Sequence, residues 1–307
     1  MKGKCVKKGV HVNGHNMSVR VAGWGEPVIL VHCSSSSNAQ WGSLTETLSG
    51  EFSVFAPDQW GCGQSDSRPG KGAFTLAEEA GPIIDILKHI GVPAHVVGHS
   101  YGGGVALHIA LEQPHLVRSL TLVEPSVFHL LKRGIPTDRA LFSEIFDVAE
   151  TIRNAVAARD PHTGMNHFVD YWNGARAWAR MPKNTRDELV QRLDKVALDF
   201  QALFDEPADL NDYAELSHPT LILCAERSPE PSRRIVEMLV RAMPNARAEL
   251  VSGAGHMSPI THPDDVNRAI RLHLLRYRAF YPSRITMRSI ANQPEWRHEY
   301  AQSHLQF

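Results

Sequence analysis

Gly98-His99-Ser100-Tyr101-Gly102 sets a serine between glycines two residues to either side. The apolar run Ala94-His95-Val96-Val97 leads in, and Gly103-Gly104-Val105-Ala106-Leu107-His108-Ile109-Ala110-Leu111 leads out in helix-compatible residues. The pattern predicts a strand, a sharp turn and a helix, with Ser100 at the apex as a nucleophile elbow. Crowding explains the glycines: the strained turn brings neighbouring backbones so close to the serine that side chains there collide.

A serine hydroxyl is a poor nucleophile at neutral pH, so the elbow calls for a histidine base and a carboxylate to orient it. Late in the chain, Ala248-Glu249-Leu250-Val251 reads as a short strand. Ser252-Gly253-Ala254-Gly255-His256-Met257 follows, before a helix that opens near Pro263. His256 falls on a glycine-flanked loop, where an accessible imidazole is useful, and is the expected base.

With these two motifs in this order, the chain resembles an α/β-hydrolase. Val28-Ile29-Leu30-Val31-His32-Cys33-Ser34-Ser35 resembles the family's strand and oxyanion loop, in which His-Gly is usual. Phe55-Ala56-Pro57-Asp58-Gln59-Trp60-Gly61-Cys62-Gly63-Gln64-Ser65-Asp66 resembles its Asp-x-x-Gly-x-Gly-x-Ser turn. The resemblance implies a mostly parallel central sheet flanked by helices. It also implies that the backbone N–H groups of Ser34 and Tyr101 form the oxyanion hole. His32, on the same segment, is an expected substrate-side residue. Cys33 departs from the usual glycine and reads as small packing beside the loop. The run from Ser34 to Ser37 is too short for a disordered tract and reads as a tight polar loop capped by Asn38.

The acid leaves the common pattern. After Thr220-Leu221-Ile222-Leu223-Cys224, most relatives place an aspartate four residues on, whereas this chain has Ala225-Glu226-Arg227-Ser228. Serine cannot stabilise an imidazolium as a carboxylate does. Glu124 follows the strand-like Leu120-Thr121-Leu122-Val123, and several branches of the family take their acid from the end of this strand. The order Ser100, Glu124, His256 is still nucleophile, acid, base. Glu226 and Glu230 lie in the usual acid loop at the wrong spacing, and Glu124 also reads as a strand-end carboxylate capping the segment through Pro125-Ser126.

A chain of 307 residues, 43% hydrophobic and 21% charged, can bury a substantial core. Its formal net charge of −1 offers no electrostatic reason to expect nucleic acid or an anionic membrane. Four cysteines, at 5, 33, 62 and 224, are too scattered for a disulfide framework or a metal site. Seventeen histidines include no His-Glu-x-x-His, and near pairs such as His11 and His15 read as solvated. Neither metal nor cofactor is expected. The basic stretch Met1 to Lys8 is followed by no apolar run long enough for a signal peptide or anchor, so a cytoplasmic location is expected.

Strand signals alternate with helical ones from Val10 to about Val123, disappear from Val127 to about Leu216, and resume at Thr220. The expected organisation is a hydrolase core over 1–126 and 217–280, an all-helical cap over 127–216, and a tail or arm over 281–307 with Trp296 and Tyr300. Such a cap carries much of the substrate pocket. Of Tyr171, Trp172 and Trp178, one or two are expected to stand over the nucleophile, with His129 also toward the pocket, making room for an apolar or aromatic acyl or alcohol group; the same aromatics also read as packing that joins the cap to the core.

The expected activity is serine hydrolysis of a small-molecule carboxylic ester or lactone through an acyl-enzyme. A homo-oligomer is left open. On the same triad, cleavage of a carbon–carbon bond in a dienoic acid, or acyl transfer to an alcohol, is the alternative. A low-turnover ligand receptor of the same fold is a third reading, kept open by the missing aspartate. A serine nucleophile disfavours the aspartate-based dehalogenase and epoxide hydrolase chemistries of this fold.

Overall fold

A computed structural model describes residues 6–12 and 14–279. Cys5 and the segment 281–307, with Trp296 and Tyr300, lie outside the described residues. Eight strands make one sheet: β1 (Val6–Val12), β2 (His15–Gly23), β3 (Glu26–Val31), β4 (Phe52–Pro57), β5 (Ala94–His99), β6 (Val117–Val123), β7 (Thr220–Ala225) and β8 (Ala246–Val251). Their spatial order is β1-β2-β4-β3-β5-β6-β7-β8. The first two pairings, β1 with β2 and β2 with β4, are antiparallel. Every pairing from β4 onward is parallel.

The central strands are apolar on both faces because helices cover both. All residues of β3, β4 and β5 are buried. Alternate residues of β3 serve opposite cores. Ile29 and Val31 pack in the core that holds Ile83, Ile86 and Val105, whereas Val28 and Leu30 pack in the core that holds Leu44, Val266 and Ile270. The first core therefore takes α2 (Leu76–Ile90) and α3 (Tyr101–Glu112); the second takes α1 (Gly42–Leu48) and, late in the chain, a helix over Pro263–Arg276. A capping box starts α2, with Thr75 Oγ1 accepting from Glu78 N and the Glu78 carboxylate accepting from Thr75 N. Gly91, at φ 74°, ends it.

Between β6 and β7 the described elements are all helical: α4 (His129–Lys132), α5 (Pro136–Ala157), α6 (Pro161–Asn173), α7 (Ala177–Arg180), α8 (Lys183–Val190), α9 (Leu193–Phe204) and α10 (Leu210–Ala214). One face of α9 buries Val196, Phe200 and Leu203, and its other buried positions include Asp199. After β7 come α11 (Glu230–Ala242), α12 (Ser258–Thr261) and α13 (Pro263–Arg276), with β8 between the first two. Among the described residues no helix is long and apolar enough to cross a membrane.

Candidate active site

The turn between β5 and α3 holds Ser100 at φ 54° and ψ −119°, a conformation costly for a residue with a side chain. The flanking glycines are sterically required. A Cβ on Gly98 would lie 2.2 Å from Gly102 O, and one on Gly102 would lie 2.3 Å from Val31 O and 2.4 Å from His32 O. The turn is tied down by Ser100 N donating to Val123 O (2.9 Å) and Ser126 N donating to Ser100 O (3.0 Å). Tyr101 opens α3, so its N–H has no intrahelical acceptor and is available at the helix N-terminus.

Ser100 Oγ lies 2.9 Å from His256 Nε2, and His256 Nδ1 lies 2.7 Å from Glu124 Oε2. A carboxylate partner makes Nδ1 the protonated nitrogen and leaves Nε2 to accept from the serine. Glu124 is wholly buried at the end of β6, at φ 47°. Its Oε1 accepts from Ala225 N (2.7 Å), and its Oε2 also accepts from Ser228 Oγ (2.5 Å). The buried carboxylate is thus held by three donors: His256, Ala225 at the end of β7, and Ser228 in the loop after it. Glu226 and Glu230 are exposed. Glu226 instead accepts from Gly253 N (2.6 Å) and so braces the loop that carries His256.

A second chain of hydrogen bonds, which sequence patterns did not signal, joins the segment after β3 to the same loop. Cys33 N donates to Gln40 Oε1 (3.1 Å), Gln40 Nε2 to His99 Nδ1 (3.1 Å), and His99 Nε2 to His256 O (2.9 Å). Burial, reinforced by the adjacent His256, holds the His99 pKa well below its ordinary value, so the ring is neutral and can both accept and donate. Ser126 Oγ, 3.1 Å from Ser100 Oγ, is a further neighbour of that hydroxyl.

The serine opens into a cavity of about 210 Å³. Its wall is largely apolar, with Phe128, Phe168, Trp172, Met181, Phe200 and Ile260, and it includes Cys33, Ser34 and Tyr101. Trp172 from α6 stacks on His256 at a centroid distance of 4.1 Å and an interplanar angle of 28°. Burial pushes the Cys33 thiol up to about 12, which keeps it protonated.

The other expected pocket residues fall elsewhere. Tyr171 donates its hydroxyl to Glu144 Oε1 (2.8 Å), Trp178 meets the His162 ring edge to face, and His129 donates from Nδ1 to Leu203 O (3.2 Å) with its Nε2 3.3 Å from Tyr213 Oη. His32 is fully buried, with Nε2 accepting from Gln59 N (3.1 Å) and Nδ1 donating to Cys33 O (2.8 Å). It ties the oxyanion strand to the turn after β4. None of these four lines the cavity.

Beside the oxyanion segment lies a buried charged trio. Asp199 Oδ2 accepts from Ser34 Oγ (2.5 Å), while Lys195 donates to Asp199 and, at 2.7 Å, to Glu79 Oε2. Glu79 also accepts from Tyr101 Oη (3.0 Å) and Trp60 N (3.0 Å). Burial raises the Asp199 carboxyl to about 6 against the pull of Lys195. Arg192 adds a bond from its guanidinium to Ser35 O (2.7 Å). Among the described residues, no group of three or more His, Cys, Asp or Glu is placed to hold a metal ion.

An elbow serine, a histidine loop and a doubly covered parallel sheet define a hydrolase class. Residues 28–269 match the model of the alpha/beta hydrolase family, and the chain belongs to that family. It is 26% identical over 275 residues to the esterase YbfF of Escherichia coli, covering 85% of this chain and 95% of that one. It is 26% identical over 280 residues to a pyrrolizixenacetamide deacetylase of Xenorhabdus hominickii, covering 87% and 97%. Among solved structures, the fold resembles the enol-lactonase from Burkholderia xenovorans LB400, with a TM-score of 0.69, 18% identity and coverage of 87% and 99%. It equally resembles the ligand-free epoxide hydrolase CorEH, with a TM-score of 0.70, 20% identity and coverage of 90% and 100%.

Proposed function

We propose that the protein is a serine hydrolase that cleaves a carboxylic ester or lactone through an acyl-enzyme, with Ser100 as nucleophile, His256 as base and Glu124 as acid. The observation that carries this reading is the continuous chain from Ser100 Oγ to His256 (2.9 Å) to Glu124 (2.7 Å), opening onto an apolar cavity. Ser100 Oγ attacks the carbonyl carbon while its proton passes to His256 Nε2. Glu124 keeps Nδ1 protonated and stabilises the imidazolium. The N–H groups of Ser34 and Tyr101 receive the oxyanion beside a largely apolar wall, where such dipoles count for more than in water. The imidazolium then protonates the leaving alcohol, and a water deprotonated by His256 releases the acid and restores the serine.

The E. coli esterase and the Burkholderia lactonase are consistent with this chemistry. The epoxide hydrolase resemblance adds nothing to it, because that chemistry uses an aspartate where this chain has Ser100. The fully connected triad weighs against a receptor without turnover. Hydrolysis of p-nitrophenyl esters of increasing acyl length by wild type and Ser100→Ala, with circular dichroism on both, tests the proposal. Turnover that disappears in the folded variant is expected; equal turnover in both rules the mechanism out.

A further inference from the structure

We propose that Asp199 is a specificity residue: it selects substrates that carry a hydroxyl or amide N–H near the scissile carbonyl and rejects those that carry a carboxylate there. The inference rests on the serine-hydrolase reading and deepens it by naming a substrate class.

Asp199 reaches the cavity from α9 and is 2% exposed. It is the single carboxylate on the cavity wall among the described residues, and no lysine or arginine lines that wall. Its one ammonium partner, Lys195, is shared with Glu79, so the trio carries two acidic groups for one basic group. Burying such a set is costly, and an apolar side chain of similar volume would fill the position at lower desolvation cost. Closing the cavity therefore does not require a carboxylate here.

Its position gives the carboxylate a use. Oδ2 accepts from Ser34 Oγ, and the Ser34 N–H is one of the two donors assigned to the oxyanion. The carboxylate thus sits one side chain away from the place of the scissile carbonyl. An ionised carboxylate offers about four lone-pair directions. Ser34 and Lys195 fill two of them, which leaves acceptor capacity at the cavity wall. A substrate hydroxyl or amide N–H can use it. A substrate carboxylate meets a like charge with no cation lining the cavity, which also disfavours the dienoic acids of carbon–carbon bond hydrolases.

Three methyl esters of similar size test this: methyl butyrate, methyl 3-hydroxybutyrate and monomethyl succinate, with acid release followed at constant pH. For the wild type, kcat/KM is expected to favour the hydroxy ester over the butyrate by about tenfold or more, as a bond to a charged acceptor allows, and to disfavour the succinate by at least as much. Asp199→Asn should bring both ratios toward one. Damage to the oxyanion loop through Ser34 lowers all three rates together and leaves the ratios alone. Wild-type ratios near one, or ratios unchanged in Asp199→Asn, overturn the proposal. If Asp199→Asn does not fold, the wild-type ratios decide. If no ester is turned over, the serine-hydrolase reading fails, while the same compounds ranked by the Tm shift they give Ser100→Ala still decide the role of Asp199.

Discussion

Ser228 donates its hydroxyl to Glu124 Oε2 at 2.5 Å, so the residue that stands where relatives place their aspartate supports a glutamate delivered from the neighbouring strand. The two positions are adjacent in space because β6 and β7 pair in parallel and end side by side.

Glu124→Gln should lower kcat by about two to four orders of magnitude, because an amide can neither hold Nδ1 in the right tautomer nor stabilise the imidazolium. Glu226→Gln should change kcat less than about threefold, since its contact is to the backbone of Gly253. Steady-state kinetics with folded variants decide the matter. Equal losses, or a larger loss at Glu226, would remove Glu124 from its assigned role.

At the elbow, Gly102→Ala should be severely destabilising, by more than about 3 kcal/mol or to the point of insolubility. The new Cβ would meet the backbone carbonyls of Val31 and His32 at 2.3 and 2.4 Å, and neither is the end of a flexible side chain. Gly42→Ala is the control. Gly42 has right-handed helical φ −52° and ψ −55° with nothing within 4 Å of a new Cβ, so a gain of about 0.4–1 kcal/mol is expected. Urea unfolding of both variants checks the contrast.

What could be read from the chain alone follows from range. The elbow, the histidine loop and the strand end at Glu124 are local patterns, and each is complete within a few residues. Of the aromatic trio, Trp172 alone lines the cavity. Neighbours on a helix point about 100° apart, so Tyr171 could not share its direction, and Trp178 belongs to a different helix, α7. The Asp199 trio was not legible. Lys195 and Glu79 are 116 positions apart, and Asp199 and Ser34 are 165 apart. Only the folding of α9 onto the oxyanion segment brings them together. A spacing rule weighs residue type alone, so it reads Ser228 as a missing acid and cannot register the hydrogen bond it gives Glu124.

Acid should destabilise the protein through its buried histidines. Burial depresses His32, His129 and His273 from an ordinary 6.5 to about 4, and holds His99 well below its ordinary value. Between these limits the unfolded chain binds protons that the native state refuses, so their contribution is present above pH 6.5 and is lost as pH falls toward 4. Each contributes a slope of up to about 1.4 kcal/mol per pH unit. Asp199 acts in the opposite sense, because its carboxyl is raised to about 6 and takes up a proton in the native state first. Four histidines outweigh one carboxyl. The urea midpoint should therefore drop from about pH 7 to about pH 5. A constant or rising midpoint contradicts this assignment.

Trp172 should matter to turnover as well as to binding. Its indole lies 4.1 Å from the His256 ring, near enough to parallel to present its π face to the imidazolium that forms as Ser100 loses its proton. A cation over an aromatic face is stabilised by about 0.5–2 kcal/mol, or roughly 2- to 30-fold in rate. Trp172→Leu should lower kcat by about tenfold, whereas Trp172→Phe, which keeps a face, should recover most of it. Both shorten the cavity wall and should raise KM to a similar extent. Loss of kcat in the leucine variant with recovery in the phenylalanine variant identifies support of the charged ring. A rise in KM alone, equal in both variants, would leave Trp172 as a wall of the pocket and nothing more.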